Sequence, residues 1–117
     1  MVDQPGMTPA YPGRHQLHVA IILAAARVGE LGRMEVRDGL IACQSLEDIL
    51  EGHGYSASEA VNMSAERIGE RLQNLVGRGQ LSESQRQAWL AAISAALERM
   101  VGTPGLHVAG RECAPQH

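Results

Sequence analysis

A short segment near the middle of the chain brings together side chains that could bind another molecule. It includes the stretch ILEGHGYSASEAV at residues 49–61, and no arginine occurs between positions 43 and 65. Its carboxylates, imidazole and phenol, called the acidic cluster below, are Glu47, Asp48, Glu51, His53 and Tyr55. If these acids end a helix, they oppose its dipole, which favours cations there. We predict that the cluster docks on the basic surface of a partner protein, with Tyr55 as an aromatic anchor. The alternative is an ordinary solvated helix end, punctuated by the two glycines around His53.

The histidines offer weak candidates for a metal site. His15 and His18 are three residues apart, and the C-terminal segment contains His107, Cys113 and His117. Neither set has the paired ligand spacing of a zinc module. We therefore predict no metal and no cofactor. A metal- or small-ligand-binding helical domain, using these histidines or Cys43, is the alternative function.

Motifs that would indicate catalysis are missing from the sequence. It contains no nucleophile elbow, no phosphate-binding glycine loop and no HExxH motif. Cys43 falls on an apolar helical stripe, where cysteine is usually a small core residue. Glu47 and Asp48 are adjacent, so on a helix they would point about 100° apart, a poor geometry for a carboxylate pair. We predict that the protein is not an enzyme.

Nucleic-acid binding is a third alternative with little support. The stretch LEDILEGHGYSASEAVNMS resembles a helix-turn-helix in its apolar positions and its turn glycine. A recognition helix presents Arg, Lys, Asn or Gln at its start, whereas this one would present Ser56, Ser58 and Glu59. Arg67 and Arg71 come two turns later, and the net charge of −3 disfavours binding to nucleic acid or anionic membranes.

The composition indicates one small folded domain in a reducing compartment. The chain has 117 residues, 44% of them hydrophobic, with no Phe, and all of its basic residues other than histidine are Arg. No apolar run is long enough to span a bilayer, and the N-terminus lacks a signal-peptide pattern. We expect a cytoplasmic protein of bacterial or phage origin with reduced thiols.

The apolar spacing predicts an all-α fold, a small antiparallel bundle of four helices. Residues 1–13 and 102–117 read as irregular arms around a helical domain at 14–101. The third and fourth helices have a heptad-like seam and an N-terminal capping box each. Their seams are Val61, Ala65, Ile68, Leu72, Leu75 and Trp89, Ile93, Ala96, Met100.

The second helix is the ambiguous element. One continuous helix over RMEVRDGLIACQSLEDILEG fits the apolar spacing. The rival interpretation is a β-hairpin at 33–44 with a turn at Asp38-Gly39, followed by a helix that starts at Ser45 with Asp48 completing a capping box. We favour the continuous helix, because a lone hairpin would need support.

The first helix is apolar over most of its circumference, which places it in the middle of a bundle or in a subunit interface. We predict a homodimer that uses Leu17, Ile21, Ile22 and Ala25. The sequence as a whole therefore favours a small non-enzymatic interaction protein, such as a regulator, adaptor or inhibitor.

Overall fold

The protein folds into helices joined by short turns. The computed structural model describes residues 11–106, and within that range it contains no strand. The five α-helices of this part of the chain are α1 (Arg14–Val28), α2 (Arg33–Ile41), α3 (Leu46–Gly52), α4 (Ala57–Gly77) and α5 (Glu83–Val101). The all-α prediction is confirmed, whereas the prediction of four helices is wrong.

The first helix lies at the centre of the fold. It contacts each of the other four helices, which explains why apolar residues surround most of its axis. Leu17, Ile21 and three consecutive alanines at 24–26 are buried. The alanines let neighbouring helices approach closely, at the cost of less buried area per residue.

The two long helices α4 and α5 pack against each other and against α1. On α4, the seam prediction holds for Val61, Ile68 and Leu72, which are buried. On α5 the buried stripe is Ile93, Leu97 and Val101, while the seam residues other than Ile93 are half-buried. The buried face of α5 therefore shares Ile93 with the predicted seam and is shifted towards the side of Leu97 and Val101.

The second predicted helix is broken in two, and the β-hairpin prediction is also wrong. Residues 42–45 separate α2 from α3, and Cys43 adopts a left-handed backbone conformation with φ of 68°. The Ser45 hydroxyl accepts from the Asp48 amide at 3.0 Å, and the Asp48 carboxylate accepts from the Ser45 amide at 3.3 Å. This capping box, which belonged to the rival interpretation, starts a new helix and so ends the old one.

The α2–α3 pair is held close by a glycine. A Cβ placed on Gly39 would lie 2.6 Å from Cδ1 of Ile49, so any larger residue here would force the buried Ile49 side chain to shift. Asp38-Gly39 therefore lies inside α2, where the glycine serves packing rather than a turn.

Both ends of the described range pack onto the helices. Tyr11 contacts the ring of Trp89 edge-on, with centroids 5.2 Å apart. After α5, residues 104–106 form a 3₁₀ turn in which Leu106 is buried and the Gly105 amide donates to the Gln44 carbonyl at 2.9 Å. In the part of the chain that is described, every helix is too short or too polar to cross a membrane.

Candidate functional site

An open groove runs between α1 and α4, with a volume of about 440 Å³. Its apolar floor and walls come from facing sides of the two helices: Leu17, Val19, Ala20, Leu23, Ala24, Ile68, Leu72 and Leu75. The basic side chains that line it are His15, Arg27, Arg67 and Arg71. We call this surface the α1/α4 groove.

The groove exists because α1 has more apolar circumference than its neighbours cover. Val19 is 43% exposed, while Ala20, Leu23 and Leu75 are half-buried at the groove walls. Below them, Ile68 and Leu72 are buried in the core. A ligand that lies in the groove would remove these side chains from water.

Three arginines surround this apolar strip, and among residues 11–106 no acidic side chain lines the groove. Arg27, Arg67 and Arg71 are all exposed. They take part in neither of the two ion pairs found within residues 11–106, which join His53 to Glu35 and Arg86 to Glu83. In a protein with a net charge of −3, the groove is a concentration of unpaired positive charge that favours an anionic ligand.

Local contacts show that α1 and α4 run antiparallel along the groove. The C-terminal end of α1 lies near the start of α4, because the Tyr55 hydroxyl donates to Oε2 of Glu30 at 3.3 Å. Arg27 is therefore near the end formed by the first half of α4, whereas His15 is near the end formed by Leu75. The groove extends about 18 Å from His15 to Arg27 at the helical rise per residue.

Among the described residues that line the groove, Ser64 has the one hydroxyl, and this hydroxyl is already hydrogen-bonded. Ser64 is buried, and its hydroxyl donates to the Ala60 carbonyl one turn earlier, at 2.8 Å. A ligand would meet an apolar floor at this position, and its polar partners would be the rim cations.

The acidic cluster occupies a different place from the one expected. Because α3 starts at Leu46, Glu47 and Asp48 lie in its first turn, where the helix dipole stabilises acids. Asp48 is committed to the capping box, and only Glu51 lies near the C-terminal end. The argument that these acids oppose the dipole is therefore wrong for two of the three. Partner binding by the cluster stays a prediction.

His53 ends α3 and links it to α2. Its Nδ1 lies 2.9 Å from the Ile49 carbonyl oxygen, and its Nε2 lies 3.5 Å from Oε2 of Glu35. The Gly54 amide donates to the Glu51 carbonyl, and the Tyr55 amide to the Leu50 carbonyl. With Gly54 at φ of 84°, this is a Schellman ending. The positions of His53 and Gly54 are therefore explained by their roles in ending α3.

Tyr55 is half-buried and contacts α1. It follows the pair of short helices α2 and α3, and we call residues 33–55 the α2–α3 corner. The charge of Glu30 raises the pKa of the Tyr55 phenol above its ordinary value, with burial and the hydrogen bond to Glu30 acting in the same direction. Glu30 itself adopts φ of 55° after α1, a conformation that glycine favours. The aromatic anchor therefore serves an internal contact.

The predicted dimer residues lie mostly inside the single chain. Leu17, Ile21 and Ala25 are at most 5% exposed, and Ile22 is half-buried against the same core. A second chain could reach little of them. The homodimer stays a prediction, and any surface of α1 that serves it would have to include the exposed strip at Val19 and Leu23.

The metal and thiol predictions meet only part of the chain. Within residues 11–106, no three His, Cys, Asp or Glu side chains are grouped so that they could hold a metal ion. His107, Cys113 and His117 lie outside the described residues. Cys43 takes part in a disulfide, so the expectation of a reduced thiol at this position is wrong. Disulfides are uncommon in a reducing cytoplasm, and the cytoplasmic location stays a prediction.

The groove arginines were missed as a site from the sequence. In the sequence, Arg67 and Arg71 enter only as possible contacts to DNA. Their positions directly before the buried Ile68 and before Leu72 would have placed them at the edge of the apolar seam. Pairing them with Arg27 required knowing that α1 and α4 are neighbours.

Comparison with known proteins gave no match to a family model, a curated protein or a solved structure. The function is therefore argued from the groove itself.

Proposed function

We propose that this protein is a non-enzymatic interaction module that captures an acidic, partly apolar surface of another protein in the α1/α4 groove. The observation that carries the proposal is the unpaired arginine rim around exposed apolar side chains. Arginine is one of the residue types enriched at binding-energy hot spots, and the apolar floor adds area that a partner can bury.

The charge of the groove reverses the partner chemistry expected from the acidic cluster. A basic partner would be repelled by Arg27, Arg67 and Arg71, and it would find the first-turn acids of α3 already serving that helix. An acidic partner gains from the rim at long range and from the apolar floor on contact. Regulation, adaptation and inhibition are all roles that such capture can serve.

Affinity capture from the source cells tests this proposal with a matched pair of charge variants. The groove variant carries Arg67→Glu and Arg71→Glu. The control carries Arg33→Glu and Arg37→Glu on α2, which are also exposed and also four residues apart. Both variants change the net charge by the same amount, and circular dichroism should show that both keep the fold.

A captured protein is then purified, and its affinity for the wild type and for each variant is measured by titration. We expect about tenfold or greater loss of affinity in the groove variant and about twofold or less in the control. Equal affinity for the wild type and the groove variant would refute the groove as the binding surface.

A further inference from the structure

We infer that the occupant of the α1/α4 groove is a single amphipathic α-helix of the partner, with acidic residues flanking its apolar stripe. This inference rests on the proposed function and adds the shape and charge pattern of the ligand.

The distribution of the cations favours a helix over a small anion. A single carboxylate on an acyl chain is satisfied by one or two arginines at one end of a site. Here Arg27 is near one end of the groove, while Arg67 and Arg71 lie further along it on successive turns of α4. Cations spread along an apolar strip match several carboxylates on one rigid element.

The shape of the groove leads to the same occupant. The groove lies along α1, and Val19 at its wall is 43% exposed, so an elongated ligand can lie in it from the open side. A groove of about 18 Å accommodates roughly three turns of helix. Such a helix would place apolar side chains at i, i+4 and i+7 on the floor.

A second copy of this chain is a poorer occupant. A two-fold axis through the groove would bring the arginine rims of both copies together, and the described part of the chain places no acid in the lining to offset them. The exposed acids of α3 have no apolar side chain between them to fill the strip, because Leu46, Ile49 and Leu50 are buried.

The spacing of the rim predicts the partner sequence. Arg67 and Arg71 are four residues apart on α4, about 6 Å along its axis. Two glutamates four residues apart on the partner helix would face them, and one further acid on the opposite flank would face Arg27. Such pairs add specificity for orientation as well as attraction.

Synthetic peptides of about four turns test this inference. The test peptide has leucines at i, i+4 and i+7, two glutamates four apart on one flank and one on the other. One control replaces these glutamates with lysines. A second keeps the same leucines and glutamates but has two central prolines in place of alanines, and dodecanoate represents a small anion. Titration is followed by the fluorescence of Trp89 or by calorimetry.

We expect the acidic helix to bind the wild-type protein and the Arg33→Glu/Arg37→Glu control alike, and to lose about tenfold affinity with Arg67→Glu/Arg71→Glu. The lysine peptide should bind at least tenfold more weakly. Equal binding of the proline peptide overturns the helical occupant and leaves the proposed function intact. If dodecanoate binds and the acidic peptide does not, the helical occupant is overturned. If the Arg67→Glu/Arg71→Glu variant binds the acidic peptide as tightly as the wild type, or if no acidic probe binds, both proposals are overturned.

Discussion

The α2–α3 corner and the α1/α4 groove carry opposite charge and use it in opposite ways. At the corner, Asp48 completes a helix cap and His53 closes the same helix while contacting Glu35. In the groove, Arg67 and Arg71 have no ion-pair partner within residues 11–106. At the corner, the polar side chains hydrogen-bond within the protein and hold two short helices in place. In the groove, the charged side chains remain available to a ligand.

The difference shows that a charged cluster is a candidate binding site only if its side chains are not already bonded within the protein. Short helices such as α3 depend on tertiary packing and on their caps, because isolated helices of this length are not stable. Long helices such as α4 can leave side chains unpaired. The acidic cluster is easier to see in the sequence than the groove arginines, but in the fold its side chains mainly stabilise α3.

The largest effect on the comparison is expected from removing a core leucine of the corner. Leu50 is fully buried, so Leu50→Ala should lower the free energy of unfolding by about 2–5 kcal/mol. Leu23→Ala, at the half-buried groove wall, should cost about 1 kcal/mol or less because little area is lost. Chemical denaturation measures both. A larger loss at Leu23 would mean that the groove wall is part of the core.

A smaller effect on stability is expected from removing the cap of α3. Ser45→Ala takes away the acceptor of the Asp48 amide and should cost about 1 kcal/mol. Binding of the acidic helical peptide should be unchanged once the variant is folded. Urea denaturation and peptide titration together separate the two effects, and altered peptide affinity would indicate coupling between corner and groove.

The acidic cluster gives a direct test of which surface binds. Glu47→Arg with Glu51→Arg should cost no more than about 1 kcal/mol in stability, since only Glu47 loses a favourable position at a helix N-terminus. Affinity for a captured partner should change by less than about twofold in moderate salt. Loss of capture here, with the groove variant still active, would restore the cluster as the docking surface.

The smallest expected effect is a pH dependence at the corner. Because the pKa of Tyr55 is raised, its hydrogen bond to Glu30 contributes in full below about pH 10 and is lost as the pH rises through the folded-state value. Glu30→Gln keeps an acceptor but removes the charge, so the titration midpoint of Tyr55 should fall. Absorbance at 295 nm in a Tyr11→Phe background measures it, and an unchanged midpoint would show that Glu30 is not the main cause.

The sequence predicted those parts of the fold that depend on local pattern. The α4 and α5 caps at Ser56 and Ser82 and the central position of α1 follow from capping boxes and apolar spacing. The break between α2 and α3 did not follow, because apolar residues remain at helical spacing across it. There, one capping box and one left-handed residue, Cys43, outweigh the periodicity.

The candidate groove could not be predicted for a different reason. It is defined by the antiparallel contact of α1 with α4, residues separated by more than thirty positions in the chain. Arg67 and Arg71 are visible in the sequence as a pair, but Arg27 joins them only in three dimensions. The acidic cluster, by contrast, is contiguous in sequence, so the sequence alone gives it more weight as a binding site than its internal contacts support.

The 3₁₀ turn that follows α5 determines where the chain can be shortened. A fragment that stopped at Val101, the boundary suggested by the helical pattern, would leave out Leu106, which is 2% exposed, and the amide that donates to Gln44. It would remove a buried side chain from the core and cost about 1.5–3 kcal/mol for the leucine alone. Fusion partners and affinity tags at this end are best joined after residue 117, so that Leu106 and the one cysteine besides Cys43 are both retained while the groove on α1 and α4 is assayed.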